Sequence, residues 1–183
     1  MKQTLIVFVQ DEPGVLNRIS SHIRRRNFNI ESLVAGRTEK EGITRMTVVL
    51  NEPDETKQRI VVNSLKQLID VYDVIDATKI ESHLREYALV KVAIKKDDLG
   101  DVGKVVEAIH GNIIESNDDV TIFELTGYED EIELAILQLE KYDVLEIVRS
   151  GKVAMASGNY AENQPELNKT EPNWSTRRIL ESF

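Results

Sequence analysis

Asp11-Glu12-Pro13-Gly14-Val15-Leu16 brings together residue types that can hold a small charged ligand without covalent chemistry. Asp11 is placed to cap a helix, Pro13 supplies a preset φ near its first turn, and Gly14 removes the Cβ where something could approach the backbone. The first amide groups of a helix have no partner inside it, and with the helix dipole they make a seat for a carboxylate. The chemistry on offer is anion binding by backbone N–H groups.

Other residues that carry chemistry are scattered. His22, His83 and His110 have no carboxylate or second histidine at metal-ligand spacing, so neither a zinc nor a nickel centre is expected. Gly100, Gly103 and Gly111 form neither GxxxxGK nor a strand-linked GxGxxG, and no serine has a plausible triad partner. A chain without cysteine has no thiolate nucleophile, thiolate metal site or disulfide framework. It is therefore expected not to be an enzyme, with no catalytic residues, no metal and no cofactor of its own.

Composition narrows the partners. The 23 basic and 32 acidic residues leave a formal net charge of -9, which works against a phosphate backbone. The expected central strands carry Val, Leu, Thr and Met, with only Phe8 and Phe123 aromatic, so a base-stacking RNA surface is not expected either. No segment approaches the roughly 18 apolar residues of a membrane span, and the first apolar run lacks a signal-peptide cleavage pattern. The chain reads as cytoplasmic and soluble, with neither nucleic acid nor membrane as partner.

The elements that must position residues 11 to 16 follow from periodicity. Leu5 to Val9 alternates as a strand, and Val15, Leu16, Ile19 and Ile23 recur at helical spacing as far as Arg24-Arg25-Arg26, whose charge suits a helix C-terminus. Asn27-Phe28-Asn29 turns the chain into a strand, Ile30 to Arg37. Thr38 to Gly42 is a hairpin connection, and Ile43 to Leu50 is the returning strand. Asn51-Glu52-Pro53-Asp54 opens a second helix whose buried face is Ile60, Val61, Leu65 and Leu68, and Val71 to Lys79 closes the unit. The order is β-α-β-β-α-β, two helices over one face of a four-stranded antiparallel sheet.

From Glu86 the order begins again. Leu89 to Ile94 is a strand, and Leu99, Val102, Val105, Val106 and Ile109 trace a helix. Ile113 to Ser116 and Val120 to Thr126 form a hairpin, Ile132, Ala135, Ile136 and Leu139 mark another helix, and Val144 to Val148 is the last strand. Ile30-Glu31-Ser32 recurs as Ile114-Glu115-Ser116, and Tyr72-Asp73-Val74 as Tyr142-Asp143-Val144. At the first of these offsets Asp97 and Asp98 answer Pro13 and Gly14, and Ile113 answers Asn29, so the second copy lacks the anion seat. The expected class is α+β, with two ferredoxin-like βαββαβ units in tandem: residues 1–80, residues 81–157, and a polar, poorly ordered tail over 158–183 in which Trp174, Ile179, Leu180 and Phe183 stand out.

The run Asp11 to Leu16 after a strand, in this element order, resembles an ACT domain, a small module that binds amino acids and regulates metabolic enzymes. Asn29-Ile30-Glu31-Ser32-Leu33, Thr44-Arg45-Met46-Thr47 and Val148-Arg149-Ser150-Gly151 are similar to runs in the small, regulatory subunits of acetolactate (acetohydroxyacid) synthase. The likeness extends over residues 3 to 156. It implies a non-catalytic subunit in valine, leucine and isoleucine synthesis. Such a subunit binds and activates a catalytic large subunit carrying thiamine diphosphate, magnesium and FAD, and confers feedback inhibition by valine.

It also implies a homodimer through ACT domains. Valine would lie at the interface, contacted by Asp11, Gly14, Val15 and Leu16 of one chain and Asn29 and Ile30 of the other. In that arrangement the amides at 14 to 16 take the ligand carboxylate, the oxygens of Asp11 and Asn29 take its ammonium, and Leu16 and Ile30 bound its side chain. The alternative is a free-standing ACT-domain amino-acid sensor acting on another protein.

Overall fold

The computed structural model describes residues 2–94, 100, 102, 106 and 111–158. Apolar alternation places Leu5, Val7 and Val9 on one face of β1 (Lys2–Gln10) and Thr4, Ile6 and Phe8 on the other. Strands β2 (Ile30–Arg37), β3 (Ile43–Asn51) and β4 (Val71–Asp76) join it in the order β2-β3-β1-β4. All neighbours are antiparallel, and β2 is an edge strand.

Helices α1 (Val15–Arg25) and α2 (Glu55–Lys66) cover one face of this sheet. Leu5, Val7, Val9, Met46, Val48 and Leu50 pack there against Ile19, Ile23, Val61 and Leu65. Just beyond the end of α1, Asn27 has a positive φ of 60° and turns the chain toward β2. Helix α2 is capped by Asp54, whose carboxylate accepts from the amides of Thr56 (2.7 Å) and Lys57 (3.3 Å). Ile60, expected on its buried face, is half exposed and points outward, because Val61 and Leu65 already fill the stripe facing the sheet.

The second unit repeats the arrangement. Its sheet has the order β6-β7-β5-β8, from β5 (Ser82–Val92), β6 (Asn112–Ser116), β7 (Thr121–Gly127) and β8 (Val144–Arg149). Helix α3 (Glu129–Leu139) buries Ile132, Ala135, Ile136 and Leu139 against Ala88, Val90, Phe123 and Leu125, and helical Val102 and Val106 join this core. The other positions expected to form the helix before β6, and Asp97 and Asp98 with them, lie outside the described residues. So do positions 159–183 of the tail.

The fold repeats, but the two short identities do not fall on equivalent rungs. Val71 pairs with Val9 just beyond a bulge at Tyr72 of β4, and Val144 pairs with Val92 just beyond a bulge at Leu145 of β8. Val144 therefore matches Val71 rather than Val74. Ser32 lies opposite Val49, itself opposite Thr4, whereas Ser116 lies opposite Thr121, itself opposite Val92. The second triplet thus sits further along its sheet, and Ile113, paired with Phe123, does not occupy the place of Asn29.

Strand β5 begins seven residues before the expected Leu89, and its first part pairs with a strand absent from the sequence reading, β9 (Val153–Ala156). Ala154 of β9 is buried with Ile6, Ile75 and Ala77, so β9 lies against the face of the first sheet that the helices leave open. Among the described residues no helix is long and apolar enough to cross a membrane.

Candidate functional site

The chain leaves β1 at Gln10 and enters α1 only at Val15, three residues later than a cap at Asp11 requires. The cap position is taken by Gly14, with φ at +87°, a conformation that L side chains rarely adopt. The Asp11 carboxylate instead accepts a hydrogen bond from the Thr44 hydroxyl at 2.9 Å, and its amide donates to the Gly42 carbonyl at 2.9 Å. Asp11 is tied to the β2–β3 hairpin, its side chain held beside the helix start rather than on it.

Two further expectations at this turn are corrected. The Val15 amide donates to the Glu12 carbonyl at 3.3 Å, and its side chain is buried in the core. The amides of Gly14 and Leu16 are then the pair suited to a carboxylate. The space beside Gly14 is taken by the chain itself: a Cβ there would stand 3.2 Å from Nη1 of Arg18, whose Nε meets the buried carboxylate of Asp70 at 2.5 Å. Arg18 adds positive charge to the helix start. Its position four residues beyond Gly14, on the same helix face, was the sequence signal for it.

Leu16 is half exposed, and it is the apolar side chain that this turn presents to solvent. Asn29 is exposed, its carbonyl accepting from the Asn51 amide at 3.3 Å, and Ile30 packs half-buried on the first core. Asp11, Gly14, Val15 and Leu16 are together at one end of the sheet. Asn29 and Ile30 are at the other. Gln10 pairs with Ile43 and Ile30 pairs with Leu50, seven positions apart on β3, roughly 23 Å at the rise of a strand. One chain does not bring the six residues together.

Thr44-Arg45-Met46-Thr47 has a role that its sequence did not announce. Met46 is core, but Arg45 donates to the Ala154 carbonyl and stacks over Phe8, 6.0 Å from the ring centre. The Thr47 hydroxyl accepts from the Ala154 amide at 3.4 Å. Burial lowers the Arg45 pKa, while Glu39 opposes the shift. This run fastens β9 onto the first sheet.

A cleft of about 820 Å³ opens between the start of β2 and the start of α3, where Lys2, Glu31, Ser32, Glu129, Arg149 and Lys152 face one another. Lys2 pairs with Glu31, and with Glu129 at 2.8 Å, contacts that hold its ammonium pKa above the ordinary value. Burial would raise the Glu129 pKa, but Lys152, at 2.5 Å, and Lys2 bring it below the usual carboxylate range. Arg149 reaches both oxygens of Glu86, which raise its already high pKa. Among the described residues no cluster of His, Cys, Asp and Glu is arranged to hold a metal ion.

A family model described as the small subunit of acetolactate synthase matches residues 85–158, and one described as an AHAS small subunit-like ACT domain matches residues 5–73. The chain is 36% identical over 159 residues to a probable acetolactate synthase small subunit of Archaeoglobus fulgidus, covering 87% of this chain and 99% of that one. It is 35% identical to the acetolactate synthase small subunit of Mycolicibacterium smegmatis, covering 85% of this chain and 91% of the other. The crystal structure of the small subunit from Thermotoga maritima superposes with a TM-score of 0.77 at 30% identity, over 87% of this chain and 99% of that one.

Proposed function

This chain belongs to the acetolactate synthase small-subunit family, and from that premise we propose that it is the regulatory, non-catalytic subunit of an acetolactate synthase. It binds a catalytic large subunit, raises its activity and subjects it to feedback inhibition by valine. Thiamine diphosphate, magnesium and FAD belong to the large subunit. Residues 1–80 are the unit that binds the amino acid and dimerises, and residues 81–157 form the second ferredoxin-like unit.

The observation that supports an interface site is the sheet register. Strand β2 is an edge whose outer backbone groups can pair with another chain. If a second copy adds its own β2 antiparallel, the start of one strand lies beside the end of the other. That end, Arg37, pairs with Thr44, the residue that holds Asp11. Asn29 and Ile30 of the partner would then stand beside Asp11, Gly14 and Leu16. The amides of Gly14 and Leu16, with Arg18 close by, take the valine carboxylate; Asp11 and the partner's Asn29 take the ammonium; Leu16 and the partner's Ile30 enclose the isopropyl group.

Valine inhibits by population shift, which requires that it bind the inhibited arrangement of the dimer more tightly than the active one. Calorimetric titration of the purified chain with valine, alanine and lysine, alone and with the large subunit, tests the reading. Saturable binding of valine, together with activation and valine inhibition of the large subunit, is expected. Valine binding without any effect on a large subunit would favour a free-standing sensor.

A further inference from the structure

The start of β2 is held by two contacts that are not rungs of its sheet's hydrogen-bond ladder, one through the Lys2 side chain and one through Gly151. Glu31 sits where β2 bulges, between the rungs of Ile30 and Ser32, and pairs with Lys2. Lys2 in turn donates to Glu129 at the start of α3, and Lys152 holds the other oxygen of Glu129. One residue further along β2, Ser32 meets Gly151: a Cβ on Gly151 would stand 2.8 Å from the Ser32 Cβ, and its φ of +78° also favours glycine.

These contacts fall on the two residues that follow Asn29 and Ile30. Strand β2 fully buries none of its residues, so burial alone specifies its register weakly, and a slip of one residue exchanges the faces of every side chain. Ion pairs as exposed as Lys2–Glu129 add little to global stability, so their local effect is what distinguishes them.

We infer that Lys2, Glu129 and Gly151 are positioning residues for the amino-acid site: the second unit grips Glu31 and Ser32 and thereby fixes where Asn29 and Ile30 stand when they meet a second copy. This rests on the interface reading above. It makes valine affinity depend on Lys2 of the first unit and on Glu129 and Gly151 of the second, none of which touches the ligand.

The test is valine titration of full-length Lys2→Met and Lys2→Arg chains, assembled with the large subunit, at low and high salt. Lys2→Met is expected to weaken valine binding about two- to five-fold, of the order of a partly exposed ion pair, and Lys2→Arg to restore it. Wild-type affinity is expected to fall as salt rises, while Lys2→Met is expected to be less salt-dependent. A merely structural contribution would lower the melting temperature without changing the salt response. Unchanged valine affinity in Lys2→Met would overturn the inference and leave the interface site standing. Absence of valine binding to the wild-type assembly would remove the site itself, and the inference with it.

Discussion

Arg149 and Glu86 form a two-pronged ion pair across β5 and β8, at 2.7 and 2.9 Å, with Glu86 almost wholly buried and the guanidinium about one third exposed. The remaining guanidinium nitrogen, Nη1, reaches Glu133 on α3 at 2.8 Å. One side chain thus ties the last strand of the second sheet to its first strand and to its helix. Glu86→Ala leaves Arg149 with one carboxylate and is expected to cost about 2 kcal/mol, below the 3–5 kcal/mol of a fully buried pair because Arg149 keeps access to water. Urea unfolding measures it; a loss under about 0.5 kcal/mol would show that solvent replaces the pair.

His22 gives the stability of the first unit a pH dependence. Burial, then the charges of Arg26 and Arg25, lower its pKa below the ordinary value, a contact with the Ser64 backbone opposes them, and Nε2 has no partner among the described residues. As pH falls through about 6.5 the unfolded chain takes up a proton that the folded chain resists, so the fold loses stability from there down to the lowered folded pKa. His22→Gln is expected to flatten the urea midpoint between about pH 7.5 and 5. A wild-type midpoint already flat over that range would contradict the assignment.

Arg45 fastens β9 through the Ala154 carbonyl. Arg45→Met is expected to accelerate amide hydrogen exchange at Val153 to Ala156 by at least about ten-fold, with little change in the pairing of β1 and β3, because local opening draws on local contacts. Equal acceleration in both places would mean that the sheets open as one unit.

The alternation of β1 and β3 and the stripe Val15, Ile19, Ile23 were legible because burial imposes a period on neighbouring residues. Asn51-Glu52-Pro53-Asp54 was legible as a helix start for a similar reason: the amides that Asp54 caps lie two and three residues away. Asp11 was misread because cap chemistry and turn chemistry use the same residue types, and the φ of Gly14 decides where the helix begins. Strand β9 offers only four residues, too few for a period, and its place is set by Arg45, Thr47 and Ile6 more than a hundred positions away. The pairing of Lys2 with Glu129 leaves no trace in spacing. Of the candidate site, the grouping of Asp11, Gly14 and Leu16 was legible in the sequence, and the family likeness implied a second chain for the rest. The separation of the two halves needed the strand register.

That separation also tells how to break the site. Gly14→Asp puts a side chain against Arg18 on a backbone of positive φ and adds negative charge where the valine carboxylate is to lie. Asn29→His replaces the amide at the other half-site. Each variant alone is expected to lower valine affinity at least about a hundred-fold and to relieve inhibition of the large subunit, since a site built to bind a charged group loses most when that group is left unpaired. Valine inhibition persisting in either would remove that residue from the site.

The most direct measurement combines the two. Differently tagged Gly14→Asp and Asn29→His chains, unfolded, mixed, refolded and purified as the doubly tagged species, form a dimer in which one interface site carries both defects and the other carries neither. Calorimetry on that species is expected to find one valine per dimer at near wild-type affinity, while each variant by itself binds none in the same range. A mixed dimer that binds no valine, or a single-variant dimer that binds it normally, would contradict a site shared between the start of α1 in one chain and the start of β2 in the other.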